Sequence, residues 1–214
     1  RGGKSMEDRR TRIIQAAVRL FRERGFHQVS VRNIIKEADV SNGCFYHYFT
    51  TKDELLFAIN EFVMDYVLAK AQEVLRQHKT PVEKLHGIIS GFMSTFYRYH
   101  DAVVVMYREN HYLAPEYYQK MRQKRDLYYR IVMDVLAEGV AKKEFRPFEP
   151  LSIVAFMIFG MVNWLYTWYD PEGCLSIEAL RDRYIDFIFH ALLTEEAKRN
   201  PLYRSYFLPP ALSS

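Results

Sequence analysis

The sequence contains few cysteines and none of the short motifs that mark the common enzyme families. Only Cys44 and Cys174 occur among its 214 residues, and they have neither the spacing of a metal site nor the number of a secreted disulfide framework. A glycine-rich phosphate loop, a nucleophile elbow and an H-E-x-x-H metal motif are all missing. We therefore expect a protein of the reducing cytoplasm that needs no metal or cofactor and is not an enzyme.

Strand-like alternation, internal repeats and low-complexity tracts are also missing, which leaves helices as the regular structure that the sequence supports. Apolar residues follow the helical period over most of the chain, so we predict an all-α fold. The predicted helices cover residues 7–24, 31–38, 42–48, a long segment from 52, 81–99, 102–112, 115–143, 151–169 and a last segment from 177. Residues 1–5 are expected to be a lead-in outside the fold, and the tail from Thr194 is expected to be irregular.

Charge and aromatic residues are unevenly distributed along the chain. Residues 1–52 hold 11 Lys and Arg against 5 Asp and Glu, whereas the remainder holds 19 against 21. Of the 33 aromatic residues, 27 lie in that near-neutral remainder. Basic excess indicates nucleic-acid binding, and large rings suit a core, a pocket or a partner surface. We predict a DNA-binding domain over 7–52, a ligand-binding and dimerisation domain over 53–195 and a tail over 196–214.

Two short predicted helices, joined at residues 38–41, have the dimensions of a helix-turn-helix. Ser30 and Ser41 are suitable N-caps for them, and Thr51 with Glu54 forms a capping box for the long helix that follows. A rotation of 100° per residue places Asn42, Gly43, Tyr46 and His47 outward and Cys44, Phe45 and Tyr48 inward. Arg32 can add a guanine contact, while Ser30, Ser41, Tyr48 and Lys52 lie near helix ends that suit phosphates.

The same residues resemble the tetracycline-repressor (TetR) family of bacterial transcription regulators. The resemblance covers residues 12–56, with Ile-Ile-Gln-Ala-Ala-Val-Arg-Leu-Phe, Gly-Phe, Ser-Val-Arg-Asn-Ile-Ile-Lys-Glu-Ala, Val-Ser-Asn-Gly-Cys-Phe-Tyr-His-Tyr-Phe and Lys-Asp-Glu-Leu-Leu in order. It implies base contacts by Arg32, Asn42, Gly43 and Tyr46, and backbone contacts by Ser30, Ser41, His47, Tyr48 and Lys52. It also implies a homodimer on a pseudopalindromic double-stranded operator. The alternative is a three-helix packing unit with a solvated basic face.

Residues 151–169 form a run of 19 without a charge, which by length alone fits a transmembrane helix. Polar residues and a glycine interrupt the run, so we favour burial between the protein's own core and a partner subunit. The last helix also carries a wide apolar stripe. In the resembled family these two helices pair with the same two of a second copy, as an isologous four-helix interface does. The sequence therefore predicts a homodimer and no membrane contact.

The resemblance further implies a small-molecule pocket in the middle helices. Ligand-binding candidates are Phe92, Phe96, Tyr97, Met106, Tyr107, Tyr112, Tyr128, Phe156, Asn163 and Trp164. An aromatic stripe at helical spacing is more often plain core, and that alternative stays open for each of them. Residues 160–173 resemble a segment of regulators of fatty-acid and steroid breakdown that sense acyl-coenzyme A (acyl-CoA).

These observations combine into one functional hypothesis with two rivals. We predict a ligand-responsive, homodimeric DNA-binding repressor that a small apolar or acyl-CoA effector releases from its operator. A helical adaptor without ligand would explain the interface helices but not the basic, capped segment 30–54. An all-α enzyme would need a catalytic site assembled from residues that are distant in sequence.

Overall fold

The structure, a computed structural model, describes residues 2–209, and it describes side chains from residue 8 onward. Regular structure in this range is helical, apart from a single antiparallel bridge between Phe145 and Leu193. The α-helices are α1 (Gly2–Arg24), α2 (Val31–Ala38), α3 (Asn42–Tyr48), α4 (Lys52–Gln77), α5 (Pro81–Arg98), α6 (His100–Glu109), α7 (Pro115–Ala141), α8 (Ser152–Asn163), α9 (Leu165–Trp168), α10 (Ile177–Leu192) and α11 (Glu195–Arg199). Two 3-10 helices, Asn110–Tyr112 and Pro201–Tyr206, complete the fold.

The helices form two compact units. The first unit contains α1 to α3, α4 as far as Asp65, and the segment Tyr99–Lys124 with α6 and the beginning of α7. The second unit contains Tyr66–Arg98 and the chain from Arg125 onward. Residues 99–124, which lie far from the helix-turn-helix in sequence, therefore belong to the same compact unit.

Helix α1 forms the core of the first unit through one apolar face. Its predicted apolar residues are all buried, namely Ile13, Ala16, Ala17, Leu20 and Phe21. The helix begins at Gly2 rather than at the predicted residue 7, because no proline interrupts the upstream residues. The expectation that residues 2–5 stand outside the fold is therefore wrong, and Arg1 lies outside the described residues. Gly25, with φ of 81°, ends the helix in the left-handed conformation that glycine adopts without steric cost.

Local capping signals determine where the next helices begin. The Ser30 hydroxyl accepts a hydrogen bond from the Asn33 amide at 3.2 Å, and the Ser41 hydroxyl accepts one from the Cys44 amide at 3.1 Å, as predicted. Thr51 caps the Glu54 amide at 3.1 Å. The Glu54 carboxylate, however, accepts hydrogen bonds from the Thr50 amide and hydroxyl at 2.7 and 2.8 Å, one residue before the predicted partner.

In the second unit, α5 packs against α8 and α10. The Thr80 hydroxyl caps the beginning of α5, since it accepts a hydrogen bond from the Glu83 amide at 3.2 Å. The uncharged run 151–169 is divided into α8 and α9. Within residues 2–209, no helix is long and apolar enough to cross a membrane.

The prediction of an irregular tail is wrong, because the chain after Thr194 is largely helical. The Thr194 hydroxyl caps α11 at the Ala197 amide, and Asn200 caps the 3-10 helix that contains the fully buried Tyr203. The Tyr203 hydroxyl donates a hydrogen bond to Glu144 at 2.9 Å, and burial raises the pKa of Tyr203 to about 12. Proline at the first position starts a helix rather than breaking it, which the prediction overlooked here. The residues from Pro210 onward lie outside the described range.

The tail also covers His86, and this contact predicts a pH dependence of stability. His86 stacks on Tyr206 with ring centroids 4.2 Å apart, and burial, together with nearby Arg181, lowers the pKa of His86 to about 4. In the unfolded chain the imidazole of His86 takes up a proton near its ordinary pKa of about 6.5. The folded state therefore has its full stability above pH 6.5, and the free energy of unfolding falls as the pH decreases toward 4. The loss is at most about 3 kcal/mol, since a tenfold change in proton affinity corresponds to about 1.4 kcal/mol.

Melting temperatures of the wild type and of His86→Phe, measured between pH 7.5 and 4, check this prediction. The phenylalanine keeps a ring against Tyr206 but does not titrate, so its melting temperature should fall less over this interval. Parallel curves for the two proteins would contradict it.

Candidate DNA interface and effector cavity

Helix α3 presents the face that the sequence predicts for DNA. Tyr46 is 57% exposed, and Asn42, Gly43 and His47 are exposed as well. Phe45, by contrast, is fully buried, and its ring lies 6.1 Å from that of Phe49. The division of α3 into an outer and an inner face is therefore confirmed. A Cβ atom added to Gly43 would meet nothing within 4 Å, so the backbone is open to close approach by another molecule.

The turn between α2 and α3 is supported from α1, a contact that the sequence analysis missed. The Arg12 guanidinium donates hydrogen bonds to the carbonyl oxygens of Ala38 and Asp39 at 2.8 and 2.9 Å, and it lies 3.4 Å from the Asp39 carboxylate. Asp39 has φ of 50°, in the left-handed region that favours glycine. Aspartate tolerates this conformation better than most residues, and the two carbonyl contacts hold the turn in place. Arg12 and Asp39 are 27 residues apart, so no local sequence pattern reveals this contact.

The remaining predicted DNA contacts differ in how free their side chains are. Arg32 is exposed at the beginning of α2. The Ser30 hydroxyl donates a hydrogen bond to the side-chain oxygen of Asn33 at 2.7 Å. Tyr48 is half-buried, and the centre of its ring lies 4.8 Å from that of the His47 ring. The Lys52 ammonium donates hydrogen bonds to the carbonyl oxygens of Phe26 and Val29 at 2.8 and 3.0 Å. Lys52 is thus engaged within the first unit.

The second unit contains an apolar cavity whose lining comes from one face each of α5, α7 and α8. The volume of the cavity is about 10 Å³, enough for about one water molecule. An acyl chain therefore enters only if lining side chains move, because ligand pockets usually measure ~300 Å³ or more. The lining residues are Leu85, Ile88, Ile89, Phe92, Tyr128, Val132, Ile158, Phe159 and Val162.

The predicted ligand-binding residues do not lie together. Phe92 and Tyr128 line this cavity, with ring centroids 5.8 Å apart. Phe96 is buried outside the lining, and Met106, Tyr107 and Tyr112 belong to the first unit. Tyr97, Phe156 and Trp164 are 57%, 62% and 61% exposed, and Asn163 is half-buried with its side-chain oxygen unpaired. The aliphatic lining residues were missed because their helical spacing is that of any core.

Helix α8 has a second, outward apolar face. Ile153, Phe156, Met157, Gly160 and Trp164 follow the helical spacing and are all exposed. The opposite face of α8, with Val154, Ala155, Ile158 and Val162, is buried. Phe187 on α10 is likewise 66% exposed. Monomers rarely leave such rows of large apolar side chains in water, so this face is suited to a partner.

The described residues contain no group of histidine, cysteine, aspartate or glutamate that could hold a metal ion.

A capped helix-turn-helix with an exposed second helix, joined to a separate helical unit, defines a helix-turn-helix DNA-binding regulator. A family model described as "Bacterial regulatory proteins, tetR family" matches residues 13–59, and one described as "Tetracyclin repressor-like, C-terminal domain" matches residues 78–192. The chain therefore belongs to the TetR family of bacterial transcription regulators.

Named relatives support this assignment over nearly the whole chain. The HTH-type transcriptional repressor KstR2 of Mycolicibacterium smegmatis is 26% identical over 90% of this chain and 94% of its own. The fatty acid metabolism regulator protein of Bacillus subtilis is 28% identical over 82% of this chain and 91% of its own. The solved structure of AibR in complex with isovaleryl coenzyme A and operator DNA superposes with a TM-score of 0.76 at 24% identity, covering 85% of this chain and 98% of that one.

Proposed function

We propose that this regulator is a homodimeric repressor, that each subunit inserts α3 into one half of a pseudopalindromic operator, and that an acyl-CoA effector releases it. The observation that carries the proposal is the exposed face of α3. Asn42 and Tyr46 are exposed on it, and the backbone at Gly43 is open to close approach. Tyr46 and Asn42 are positioned to contact base edges, and Arg32 can form a bidentate contact with guanine. A protein with this role acts in the cytoplasm, where the chromosome lies.

Selection of duplexes from a randomised DNA pool tests the DNA-binding part. The wild type should enrich an inverted repeat, with half-sites about one helical turn apart, and the binding should weaken steeply with salt. Tyr46→Ala should reduce the preference for the selected duplex over a scrambled one by about tenfold. Failure to enrich any sequence would reject the proposal and favour the helical adaptor.

The dimer proposal rests on the exposed face of α8 together with Phe187 of α10. In a two-fold dimer the same surface of each subunit meets itself, and rows of large apolar side chains suit that arrangement. Two recognition helices on one particle then bind two half-sites at once, which a monomer cannot do. The repressor role is that of the KstR2 relative, as its name states.

The acyl-CoA proposal rests on the cavity and on two relatives. The cavity walls are aliphatic and aromatic carbon, which suits an acyl chain rather than a polar effector. One relative is named for fatty acid metabolism, and AibR was solved with isovaleryl coenzyme A. Regulation of transcription accounts for the described features without catalysis, so we propose that the protein has no enzymatic activity.

Enlarging the cavity should strengthen effector binding while weakening the fold. Phe92→Ala removes a half-buried ring from the lining, so less reorganisation is needed before an acyl chain can enter. We expect a lower melting temperature without ligand, and a larger increase than the wild type shows when decanoyl-CoA is added. A ligand present at a hundred times its Kd adds about 2.7 kcal/mol, or several degrees, to a native state.

Met93→Ala is the matched control, because Met93 is fully buried on the same helix but does not line the cavity. It should lose stability without gaining ligand response. Coenzyme A without an acyl chain should shift neither protein as far as decanoyl-CoA does. If decanoyl-CoA shifts no variant, or shifts Met93→Ala as much as Phe92→Ala, the cavity is not the effector site.

A further inference from the structure

The loop that joins α1 to α2, residues 25–29, is closely packed although it contains no helix or strand. Phe26 and Val29 are almost fully buried, and the Val29 amide donates a hydrogen bond to the Phe26 carbonyl oxygen at 3.4 Å. The next residue is Ser30, the N-cap of α2, and Arg32 follows within the first turn. A shift of this loop would therefore shift the backbone of the first turn of α2, which carries Arg32.

One support of the loop comes from the beginning of α4. The Lys52 ammonium donates hydrogen bonds to the carbonyl oxygens of both Phe26 and Val29, and it lies 4.3 Å from the centre of the Phe26 ring. Two backbone acceptors and one aromatic face thus surround this cation. Lys52 connects α4 to the residue directly before the N-cap of α2.

The second support comes from a distant part of the chain. Tyr112, at the end of the 3-10 helix after α6, stacks on Phe26 with ring centroids 5.8 Å apart and an interplanar angle of 17°. The Tyr112 ring also contacts that of His27 in a T-shaped arrangement, with ring centroids 4.1 Å apart. Tyr112 lies within the family's carboxy-terminal match, yet its ring contacts the loop before α2.

We propose that Tyr112 and Lys52 are positioning residues for DNA specificity, which hold the loop 25–29 so that Arg32 meets its base in the geometry of a bidentate contact. Such contacts depend on two parallel hydrogen bonds, so a small displacement of the guanidinium removes most of the discrimination. In this role both residues act on the loop and need no contact with DNA. The inference rests on the proposed role of Arg32 as a base-reading residue.

A double-mutant cycle tests the Tyr112 part. The measured quantity is the specificity ratio, the affinity for a duplex selected by the wild type divided by that for a scrambled duplex, at a temperature where every variant is folded. Arg32→Ala and Tyr112→Leu should each lower this ratio by about tenfold. Together they should lower it no further than Arg32→Ala alone, because both remove the same contact. Tyr112→Phe, which keeps the ring, should retain the wild-type ratio.

Two further variants separate positioning from general destabilisation. His27→Ala removes the exposed ring that contacts Tyr112. This variant should also lower the specificity ratio, without unfolding the protein. Tyr118→Leu, an exposed tyrosine six residues further along, is the control and should leave the ratio unchanged. If Arg32→Ala lowers the ratio while Tyr112→Leu does not, or the two effects multiply, the inference is wrong and the base-reading role stands. If Arg32→Ala has no effect, the base-reading role itself is wrong.

The salt dependence of binding tests the Lys52 part. A lysine that neutralises a phosphate contributes about −0.9 to the slope of log affinity against log salt. Lys52→Gln should therefore lower the specificity ratio about tenfold while leaving the slope unchanged. A slope that becomes less negative by about one would show that Lys52 contacts phosphate, and would overturn its assignment as a positioning residue.

Discussion

Met157→Glu should convert the protein from a dimer to a monomer and lower its operator affinity by about a hundredfold or more. Met157 lies in the middle of the outward apolar face of α8 and is 60% exposed. In a two-fold interface each substitution is present twice, so two carboxylates are brought into an apolar contact. Burying unpaired charge there costs several kcal/mol, which exceeds what one side chain contributes to most interfaces.

The loss of DNA affinity follows from the loss of the second half-site rather than from any change in α3. When two recognition helices are joined, the second binding event is intramolecular, and this linkage commonly adds a factor of about 100 to 10,000. Light scattering at micromolar concentration measures the oligomeric state, and titration of the selected duplex measures the affinity. The circular dichroism spectrum should stay helical, because the substituted side chain is exposed within one subunit.

Leu202→Glu is the matched control for this prediction. Leu202 is 67% exposed and equally apolar, but it lies on the 3-10 helix of the tail rather than on α8. This variant should remain dimeric with unchanged operator affinity. A dimeric Met157→Glu protein that binds the operator normally would show that the outward face of α8 is not the interface.

Features that depend on a few neighbouring residues could be predicted from the sequence. The caps at Ser30, Ser41 and Thr51 are confirmed because each hydroxyl accepts a hydrogen bond from the amide three residues ahead. The two faces of α3 are confirmed for the same reason, since a rotation of 100° per residue is a local property of any helix. These are the features from which the DNA-binding class was inferred.

Features that depend on contacts between distant residues could not be predicted. The aliphatic lining of the cavity has the spacing of an ordinary core, and the ligand-binding candidates Phe156 and Trp164 are exposed on the surface of the subunit. Tyr112 contacts a loop more than 80 residues away in sequence, which no local pattern reveals. Likewise, the proline-containing tail is helical because Asn200 caps it and Tyr203 finds a buried partner in Glu144.

Gly139→Ala should destabilise the protein by about 2–3 kcal/mol, although helix propensity alone predicts a gain of about 1 kcal/mol. A Cβ atom at this position would lie 1.9 Å from Cδ2 and 2.5 Å from Cγ of Phe145, so the whole ring would have to move. The ring has no free space to enter, because it is almost fully buried. The Phe145 amide also donates a hydrogen bond to the Gly139 carbonyl oxygen at 3.0 Å, which keeps the two residues close.

The displaced segment would carry the end of α10 with it. The Thr194 amide donates a hydrogen bond to the Glu144 carbonyl oxygen, and the Arg146 amide donates one to that of Leu192, each at 2.9 Å. Denaturant unfolding measures the free energy change.

Gly91→Ala is the control, since its added carbon would make only an ordinary contact with the Lys70 Cβ at 3.6 Å, and it should be neutral or stabilising. Adding Phe145→Leu to Gly139→Ala should cost less than the two single changes combined, because the smaller side chain vacates the space that the new carbon needs. Equal stability of the two alanine variants would show that propensity, and not the Phe145 ring, decides the outcome.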